Sequence, residues 1–377
     1  MKICHLGDIN SVRLHNLINY LQKEGYENFL LSLNTPTSQE RTATLSSDVK
    51  WHVIGPLVQG SYFSPSFWRS RYLTACKIKD MIKYFRADVV HGYYLTDCGL
   101  LAAYLKFHPF VVLARGSDVL IDIKANLLKK MAIKYVIKSA DLIFCISKQI
   151  QTQVLNHTKQ SKKVVFLPNG VDLERFTKQP PDQSVIKSLQ FEENSKIVIT
   201  LRNFAPVYNH ECLLKAIPLV VKKVPEARFL LLGEGSLKKK LINLSKALNI
   251  CEYVRFINFV PNGDVPKYLN IAKIYVSTTL SDANSVSLGE AMACEMPVVV
   301  SDIPPNKSII KNFENGFLFP TTDSKELADK IVLLLNNDLL CQEMGKKNRE
   351  IVSKHFNFHD YMNTIISGYT KVINATL

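Results

Sequence analysis

The sequence IYVSTTLSDANSVSLGEAMACEMPVVVSD, residues 274–302, decides the fold of this chain. It begins with a short β-branched and aromatic run, residues 274–277, which predicts a buried strand. Residues 278–284 are polar and predict a loop, and Ser285 is suited to cap a helix that follows. Pro297 ends that helix, and the valines after it predict a second buried strand. The order strand, loop, helix, strand is typical of the repeating unit of a parallel α/β fold.

The start of the predicted helix is a candidate phosphate site. Unpaired amides and the positive end of the helix dipole gather there and favour an anion. Asp282 and Glu290, eight residues apart, flank this point. Glu290 would lie little more than one turn into the helix, where a carboxylate can accept hydrogen bonds from a ribose diol. Acidic residues are also common at helix starts for reasons of charge alone, so an ordinary surface role is the alternative.

This stretch resembles the nucleotide-sugar loop of family 4 retaining glycosyltransferases, which have the GT-B fold. The resemblance rests on Glu-Ala-Met-Ala-Cys at 290–294 and on Pro-Val-Val-Val-Ser-Asp at 297–302. Three positions depart from the family pattern, since Asp282 replaces a Glu and Ala283 and Glu295 replace glycines. The family implies an α/β chain of two doubly wound Rossmann-like domains facing each other across a cleft.

Further segments extend the resemblance over nearly the whole chain. Pro-Asn-Gly-Val-Asp at 168–172 is typical of the family, and Arg-Gly-Ser-Asp at 115–118 is similar to its His-Gly-Ser-Asp element. Arg202 follows a predicted strand at the position of the family's diphosphate-binding Arg. A Lys that the family keeps a few residues later is absent, and Val-Tyr-Asn at 207–209 stands there instead.

The resemblance assigns roles to individual positions. His91 is predicted at the carboxyl end of a strand, where open α/β sheets bind ligands. The candidate catalytic residues are His91, Arg202 and Asp282. The candidate donor-binding residues are Arg202, Asn258, Asp282, Ala283, Asn284, Ser285, Val286, Ser287 and Glu290. The candidate acceptor-side or cleft residues are Asp8, Ser11, Arg115, Ser117, Asp118, Ser147 and Asn169.

The length of 377 residues predicts two domains. We expect an acceptor-binding domain at 1–172, a polar, proline-containing linker at 173–195 and a nucleotide-sugar-binding domain at 196–354. A C-terminal helical segment, 355–377, is expected to cross back onto the first domain.

The charge is unevenly distributed. Residues 1–170 contain 22 Lys and Arg against 11 Asp and Glu, a net +11 of the total +14. This excess indicates an acidic partner, such as an anionic lipid surface, a phosphate-bearing acceptor or nucleic acid, or it merely keeps this half of the chain in solution. The segment 61–85 combines aromatic and basic residues, and either an ordinary packed helix or a helix lying on a membrane would account for it.

Composition limits the remaining classes. No run approaches the ~18 apolar residues of a membrane span, and Asp8 comes too early for a secretory signal. The eight cysteines are scattered singly, which predicts reduced and mostly buried thiols in a cytoplasmic protein. The family implies no bound metal, and the chain has no Asp-x-Asp motif. No cofactor is expected, because the nucleotide sugar is a substrate.

The sequence therefore predicts a retaining glycosyltransferase that moves a hexose or N-acetylhexosamine from a nucleotide sugar, UDP-linked by expectation. The acceptor is a glycan, a lipid-linked sugar or a small molecule, and an anionic membrane surface is a further candidate partner. Alternatives are a sugar-nucleotide epimerase and a non-catalytic nucleotide-sugar-binding protein. No known nucleic-acid-binding motif is present, so nucleic acid is not an expected partner. The sugar, the linkage and the oligomeric state stay open.

Overall fold

The computed structural model describes residues 1–55 and 63–376, and the chain forms two compact units. Unit 1 contains Met1–Pro168 and Tyr361–Leu377, and unit 2 contains Asn169–Asp360. The segment expected as a linker, 173–195, lies within unit 2. It includes a short helix and the buried side chains of Phe176 and Leu189. The first two residues of the 61–85 segment lie outside the described ranges.

Strands and helices alternate along most of the chain. The strands are β1 (Lys2–Gly7), β2 (Glu27–Ser32), β3 (Lys50–Val53), β4 (Val89–Tyr93), β5 (Phe110–Ala114), β6 (Leu142–Cys145), β7 (Val164–Phe166), β8 (Lys196–Leu201), β9 (Ala227–Leu232), β10 (Val254–Ile257), β11 (Ile274–Ser277), β12 (Val298–Ser301) and β13 (Gly316–Phe319). The α-helices are α1 (Val12–Lys23), α2 (Gln39–Thr42), α3 (Pro65–Phe85), α4 (Gly99–Leu105), α5 (Ile123–Ala125), α6 (Leu127–Ser139), α7 (Lys148–Leu155), α8 (Gln183–Ser188), α9 (His210–Val221), α10 (Lys238–Ala247), α11 (Val265–Asn270), α12 (Val286–Ala293), α13 (Pro304–Lys307), α14 (Ser324–Leu335), α15 (Asp338–His355) and α16 (Phe358–Asn374). Single turns of π-helix at Tyr94–Cys98 and Asp118–Asp122 and of 3₁₀-helix at Ser161–Lys163 and Pro206–Tyr208 complete these elements.

Each unit is built on one parallel sheet. The seven strands of unit 1 lie in the order β3-β2-β1-β4-β5-β6-β7, and the six strands of unit 2 in the order β10-β9-β8-β11-β12-β13. The direction of winding reverses between β1 and β4 in unit 1 and between β8 and β11 in unit 2. Such switch points leave a crevice at the carboxyl ends of the strands, where doubly wound sheets bind ligands.

The segment 274–302 folds as its pattern predicts. β11, α12 and β12 occupy 274–277, 286–293 and 298–301, and Ser285 caps the helix. The sheet of unit 2 is buried on both faces, because successive side chains of a strand point to opposite sides. Phe229 and Leu231 of β9 belong to one core, and Leu230 and Leu232 belong to the other.

Two sequence expectations about the surface and the interior can be compared with the structure. Six of the eight cysteines are buried, as predicted, and only Cys76 and Cys251 are exposed. Within residues 1–55 and 63–376, no helix has the length and apolar character needed to cross a membrane.

Candidate active site

Arg202 and the loop before α12 meet at the switch point of unit 2. Arg202 is the first residue after β8, and the loop 278–285 connects β11 to α12. Because β8 and β11 are parallel neighbours, their carboxyl ends lie at the same edge of the sheet. Residues about eighty positions apart along the sequence are thereby brought into contact.

The guanidinium of Arg202 is bound to this loop by two polar contacts. Its Nη2 donates to Oδ2 of Asp282 at 2.8 Å and also to the hydroxyl of Ser285. The other carboxylate oxygen of Asp282 accepts from the amide of Ala283 at 2.7 Å. The Asp282 side chain is 18% exposed and that of Arg202 is 10% exposed, so the ion pair is largely shielded from water. Such a charge-assisted pair fixes the loop relative to the end of β8.

Tyr208 completes the surroundings of Arg202. The Cζ atom of Arg202 lies 5.3 Å from the centre of the Tyr208 ring, a cation–π distance. Burial acts to lower the pKa of Arg202, but nearby Tyr275, Asp282 and Tyr208 outweigh it and raise the pKa overall. Arg202 is therefore always charged. Within the described residues, its Nη1 makes no hydrogen bond and is available to a ligand.

The start of α12 lies at the same edge of the sheet, because its N-cap Ser285 contacts Arg202. The hydroxyl of Ser285 accepts from the amide of Leu288 at 3.1 Å, which fixes the start of the helix. The hydroxyls of Ser287 and Tyr275 are 2.9 Å apart, and those of Ser285 and Ser287 are 3.4 Å apart. The positive end of the helix dipole and the Arg202–Asp282 pair are thus adjacent, and the dipole favours an anion at this point.

Asn169, which we expected on the acceptor side or in the cleft, contacts the loop 278–285, called the donor loop after its predicted role. It lies in unit 2, where its side-chain amide donates to the carbonyl oxygen of Asn284 at 2.9 Å. The side chain is buried. The turn after Pro168 therefore reaches the donor loop directly, a contact between residues 115 positions apart that no local pattern could indicate.

The remaining predicted donor residues take more peripheral places. Ala283 is buried within the loop, and Val286 and Glu290 are half-buried residues of α12. Asn258 follows β10 and is exposed, and its Oδ1 accepts a hydrogen bond from the ammonium group of Lys238. The contact of Glu290 with a ribose stays a prediction.

Two glycines, Gly233 and Gly235, let the loops after β8 and β9 touch. A Cβ on Gly233 would lie 2.3 Å from the carbonyl oxygen of Arg202, and one on Gly235 would lie 2.4 Å from that of Phe204. Gly235 also has a backbone φ of +149°, which residues other than glycine rarely adopt. The Gly-Glu-Gly segment thus supports Arg202 by close backbone packing.

Threonines of the donor loop were not singled out from the sequence. The hydroxyl of Thr278 donates to the carbonyl oxygen of Tyr208 at 2.8 Å, and the amide of Leu280 donates to that of Val207 at 2.8 Å. These bonds hold Tyr208 over Arg202. The signal was present in the sequence as the Thr-Thr pair directly after β11, at the carboxyl edge of the sheet.

In unit 1, Asp118 is an internal anchor and has no exposed atoms. Its carboxylate accepts from the amides of Leu95 at 2.9 Å, Gly116 at 2.7 Å and Val119 at 3.1 Å, and also from that of Arg115. Burial raises the pKa of Asp118 even though these amides favour the charged form. The carboxylate shapes the loop after β5 by binding its backbone.

Other predicted acceptor-side residues divide into caps and accessible groups. Ser11 and Ser147 accept from backbone amides and cap α1 and α7. Asp8 accepts from the amide of Asn10 at 2.9 Å in the turn after β1. Ser117 is exposed, and Arg115 is partly exposed with its Cζ 5.4 Å from the Tyr94 ring centre.

The prediction that His91 lies at the carboxyl end of its strand is wrong, because the residue lies in the middle of β4. It pairs with His5 of β1 and Val111 of β5, so the sheet continues beyond it. The ring is fully buried, stacks on Tyr93 at 4.4 Å between centroids, and has Nδ1 2.5 Å from the Tyr369 hydroxyl of α16. Burial, with a smaller effect of His5, holds the pKa of His91 well below its usual value. The imidazole is neutral at neutral pH, and its buried Nε2 has no hydrogen-bond partner among the described residues.

A sequence model described as glycosyl transferases group 1 matches residues 182–351, and one described as glycosyl transferase 4-like matches residues 2–147. The chain belongs to the group 1 glycosyltransferases. The expectation of a glycosyltransferase enzyme of the hexosyltransferase class is confirmed. No group of three potential metal-ligating His, Cys, Asp or Glu side chains occurs in this glycosyltransferase over the residues described.

Individual relatives agree with this membership. An uncharacterized glycosyltransferase of Methanocaldococcus jannaschii is 26% identical over 289 residues, or 76% of each chain. N-acetyl-alpha-D-glucosaminyl L-malate synthase of Bacillus anthracis is 24% identical over 287 residues, covering 75% of this chain and 74% of that protein. The crystal structure of HepE from Anabaena in complex with UDP and glucose has a TM-score of 0.80 at 17% identity, over 98% of this chain and all of that one. The predicted α/β GT-B fold with two doubly wound units is confirmed.

Proposed function

We propose that this group 1 glycosyltransferase moves a hexose or N-acetylhexosamine from a UDP-linked donor to an acceptor hydroxyl, with retention at the anomeric carbon. The observation that carries the proposal is the shielded Arg202, whose guanidinium is bound to Asp282 and Ser285 beside the start of α12. A permanent cation next to a helix N-terminus favours a diphosphate. One relative is named as an N-acetyl-alpha-D-glucosaminyl L-malate synthase, and the HepE structure contains UDP and glucose, which supports this donor class.

In the proposed transfer, each residue of the site has a separate role. The bond from the anomeric carbon to the diphosphate oxygen breaks, a bond to the acceptor oxygen forms, and the acceptor hydroxyl loses its proton. Negative charge develops on the departing diphosphate, where Nη1 of Arg202 and the first-turn amides of α12 would stabilise it. Asp282 holds the guanidinium in place and lies beside the sugar, and Glu290 takes the ribose. No general base is assigned.

Tyr208 takes the position where the resemblance leads us to expect a lysine. Its ring centre lies 5.3 Å from Cζ of Arg202, whose side chain is only 10% exposed. A cation in such a dry site acts on a phosphate more strongly than in water. We therefore propose that one shielded Arg does the work of an Arg and a Lys. The proposal includes no metal and no bound cofactor.

The acceptor is proposed to be a glycan, a lipid-linked sugar or a small molecule bound by unit 1. Arg115 and Ser117 are the accessible groups after β5 and suit hydroxyl or phosphate oxygens. His91 is given no contact with substrate, because its ring is buried. We propose a cytoplasmic location, with an anionic membrane surface as a partner where the acceptor is lipid-linked.

Thermal shift with UDP, GDP, ADP and their sugar conjugates, followed by nucleotide release, tests the proposal. A ligand that binds the folded protein raises the melting temperature by mass action. We expect a shift with UDP and a larger one with one UDP-sugar, and release of UDP when acceptor is added. The absence of any shift at millimolar ligand would overturn the proposed donor site. A shift with GDP or ADP alone would overturn the choice of uridine.

A further inference from the structure

Helix α6 of unit 1 exposes large apolar side chains. Leu127 is 69% exposed and Met131 is 57% exposed, and Tyr135 of the same helix is exposed as well. These residues do not belong to the buried face of the helix, which consists of Ala132, Ile133, Val136 and Ile137. Exposed large apolar side chains that lie together indicate a contact surface.

The exposed side chains of α6 form two parallel ridges. Leu127, Met131 and Tyr135 repeat every four residues and lie along one line of the helix surface. Three residues after each of these comes a lysine, and Lys130, Lys134 and Lys138 form a second line beside the first. The hydroxyl of Tyr135 donates to the carbonyl oxygen of Ala103 at 3.4 Å. The other side chains of the two ridges have no polar partner in the described part of the chain.

The charge of this helix has one sign. Residues 123–139 contain no Asp or Glu. The neighbouring Asp122 is bound to Lys129 at 2.6 Å and leaves the three ridge lysines uncompensated. Lys134 and Lys130 also act to lower the pKa of nearby His157, after the larger effect of its burial. An uncompensated lysine ridge repels a second copy of the same surface and attracts a polyanion.

A basic groove continues the lysine ridge at the carboxyl end of α6. It has a volume of about 530 Å³ and is lined by Tyr135, Lys138 and Lys162, and also by the His108–Asp141 pair, whose Nδ1 and Oδ2 atoms lie 2.7 Å apart. Lys163 closes the end of the helix by donating to the carbonyl oxygens of Lys138 at 3.1 Å and Ala140 at 2.8 Å. The ammonium groups of Lys138 and Lys162 make no ion pair with any described residue, and a phosphate group would complement them.

We propose that this face of α6 lies on a membrane containing anionic phospholipid, with a lipid phosphate headgroup in the groove at the end of the helix. The apolar ridge enters the headgroup boundary while the lysines remain at the level of the phosphates. A soluble polyanion would use the lysines but would leave Leu127 and Met131 in water. The combination of both ridges therefore favours a lipid surface.

The same surface distinguishes α6 from α3, the helix for which the sequence left both an ordinary packed role and a membrane role open. Helix α3 exposes Tyr72 and Leu73, but its exposed side includes Asp80 among the lysines. Its apolar and basic side chains are interspersed and do not form separate ridges. α3 is for this reason a matched control in the same unit.

The test is co-sedimentation with vesicles of phosphatidylglycerol and phosphatidylcholine, compared with vesicles of phosphatidylcholine alone. The full chain is used without donor or acceptor, so failure here leaves the proposed transfer reaction untouched. We expect binding to the anionic vesicles only. Lys130→Gln with Lys134→Gln and Lys138→Gln should weaken it roughly a hundredfold at low salt, and Leu127→Ser with Met131→Ser about tenfold or more.

The control variants change the same kinds of residue on α3. Tyr72→Ser with Leu73→Ser, and Lys77→Gln with Lys79→Gln and Lys83→Gln, should bind like the wild type, and all variants should keep its melting temperature. Absence of vesicle binding, loss of binding in the α3 variants, or equal binding to neutral vesicles would overturn the proposal. Insensitivity to Leu127→Ser with Met131→Ser, together with displacement by soluble polyphosphate, would instead identify a soluble polyanion.

Discussion

Nη2 of Arg202 lies 2.8 Å from Oδ2 of Asp282, so the cation proposed for the donor diphosphate is paired with a carboxylate of the donor loop. The pair is largely buried and includes the cap of α12 through Ser285. A diphosphate that arrives here meets a guanidinium whose position is set by the donor loop. Chemistry and loop geometry therefore depend on the same contact.

Arg202→Lys should lower kcat for transfer on the order of a hundredfold with little change in melting temperature. Lysine keeps the charge but cannot bind Asp282 and a phosphate oxygen at the same time through a planar fork. Steady-state kinetics and thermal unfolding measure both effects. Arg255→Lys, which alters an Arg bound to the carbonyl oxygen of Leu189, is the control and should keep kcat.

Arg202→Ala should cost about 3 kcal/mol of stability, because it leaves the shielded carboxylate of Asp282 without its partner. Adding Asp282→Asn should recover most of this loss but none of the activity, and a double-mutant cycle measures the coupling. Additive effects of the two substitutions on stability would show that the ion pair does not hold the loop.

Asn169→Ala should raise KM for the donor several-fold by releasing the carbonyl of Asn284 from a hydrogen bond worth about 1 kcal/mol. Asn169→Asp has the same shape but cannot donate, and should behave like the alanine variant. The control is Asn270→Ala, since Asn270 makes a similar bond to the carbonyl oxygen of Thr177 at 3.0 Å. That variant should lose stability and keep KM. Wild-type KM in Asn169→Asp would contradict the positioning role.

Gly235→Ala should destabilise unit 2 by more than about 2 kcal/mol, because its Cβ would meet backbone atoms of Phe204 at a φ of +149°. Urea denaturation followed by a probe in unit 2 measures the change. Gly263→Ala is the matched control, since no atom lies within 4 Å of the position of its Cβ and its φ is unstrained. Equal stability of the two variants would show that the loops after β8 and β9 do not need close contact.

Acid should destabilise unit 1 through its buried imidazoles. Burial lowers the pKa of His5 to about 4 and that of His91 well below 6.5. The unfolded chain then binds protons that the folded chain does not, so stability falls as the pH drops below about 6.5 and continues to fall towards 4. Each imidazole contributes up to about 1.4 kcal/mol per pH unit in this window.

The measurement is the melting temperature at several pH values between about 7.5 and about 5. This range spans the histidine pKa of about 6.5 in the unfolded chain. His5→Gln and His91→Gln should each reduce the dependence on pH, whatever they do to stability at neutral pH. His52→Gln alters an exposed residue of the edge strand β3 and should keep the wild-type slope. An unchanged slope in His91→Gln would mean that its ring is accessible to protons in the folded state.

The sequence by itself determined the elements around residues 274–302 and the family of the chain. Strand, cap, helix and proline signals are local, and they act through backbone geometry that the neighbouring residues fix. Ser285 was identified as a cap for this reason, and Arg202 was placed at a strand end because β8 is a continuous apolar run.

Only the tertiary structure decided which of these residues meet. The order of strands in the sheet brings Arg202 to Asp282, and the turn after Pro168 brings Asn169 to Asn284. The tertiary structure also decided which side chains are buried. Periodicity shows which side chains share a face of a helix or strand, but which neighbour covers that face depends on the packing of distant elements. His91 is therefore enclosed by β1, β5 and α16, whereas Leu127 and Met131 of α6 remain in contact with solvent.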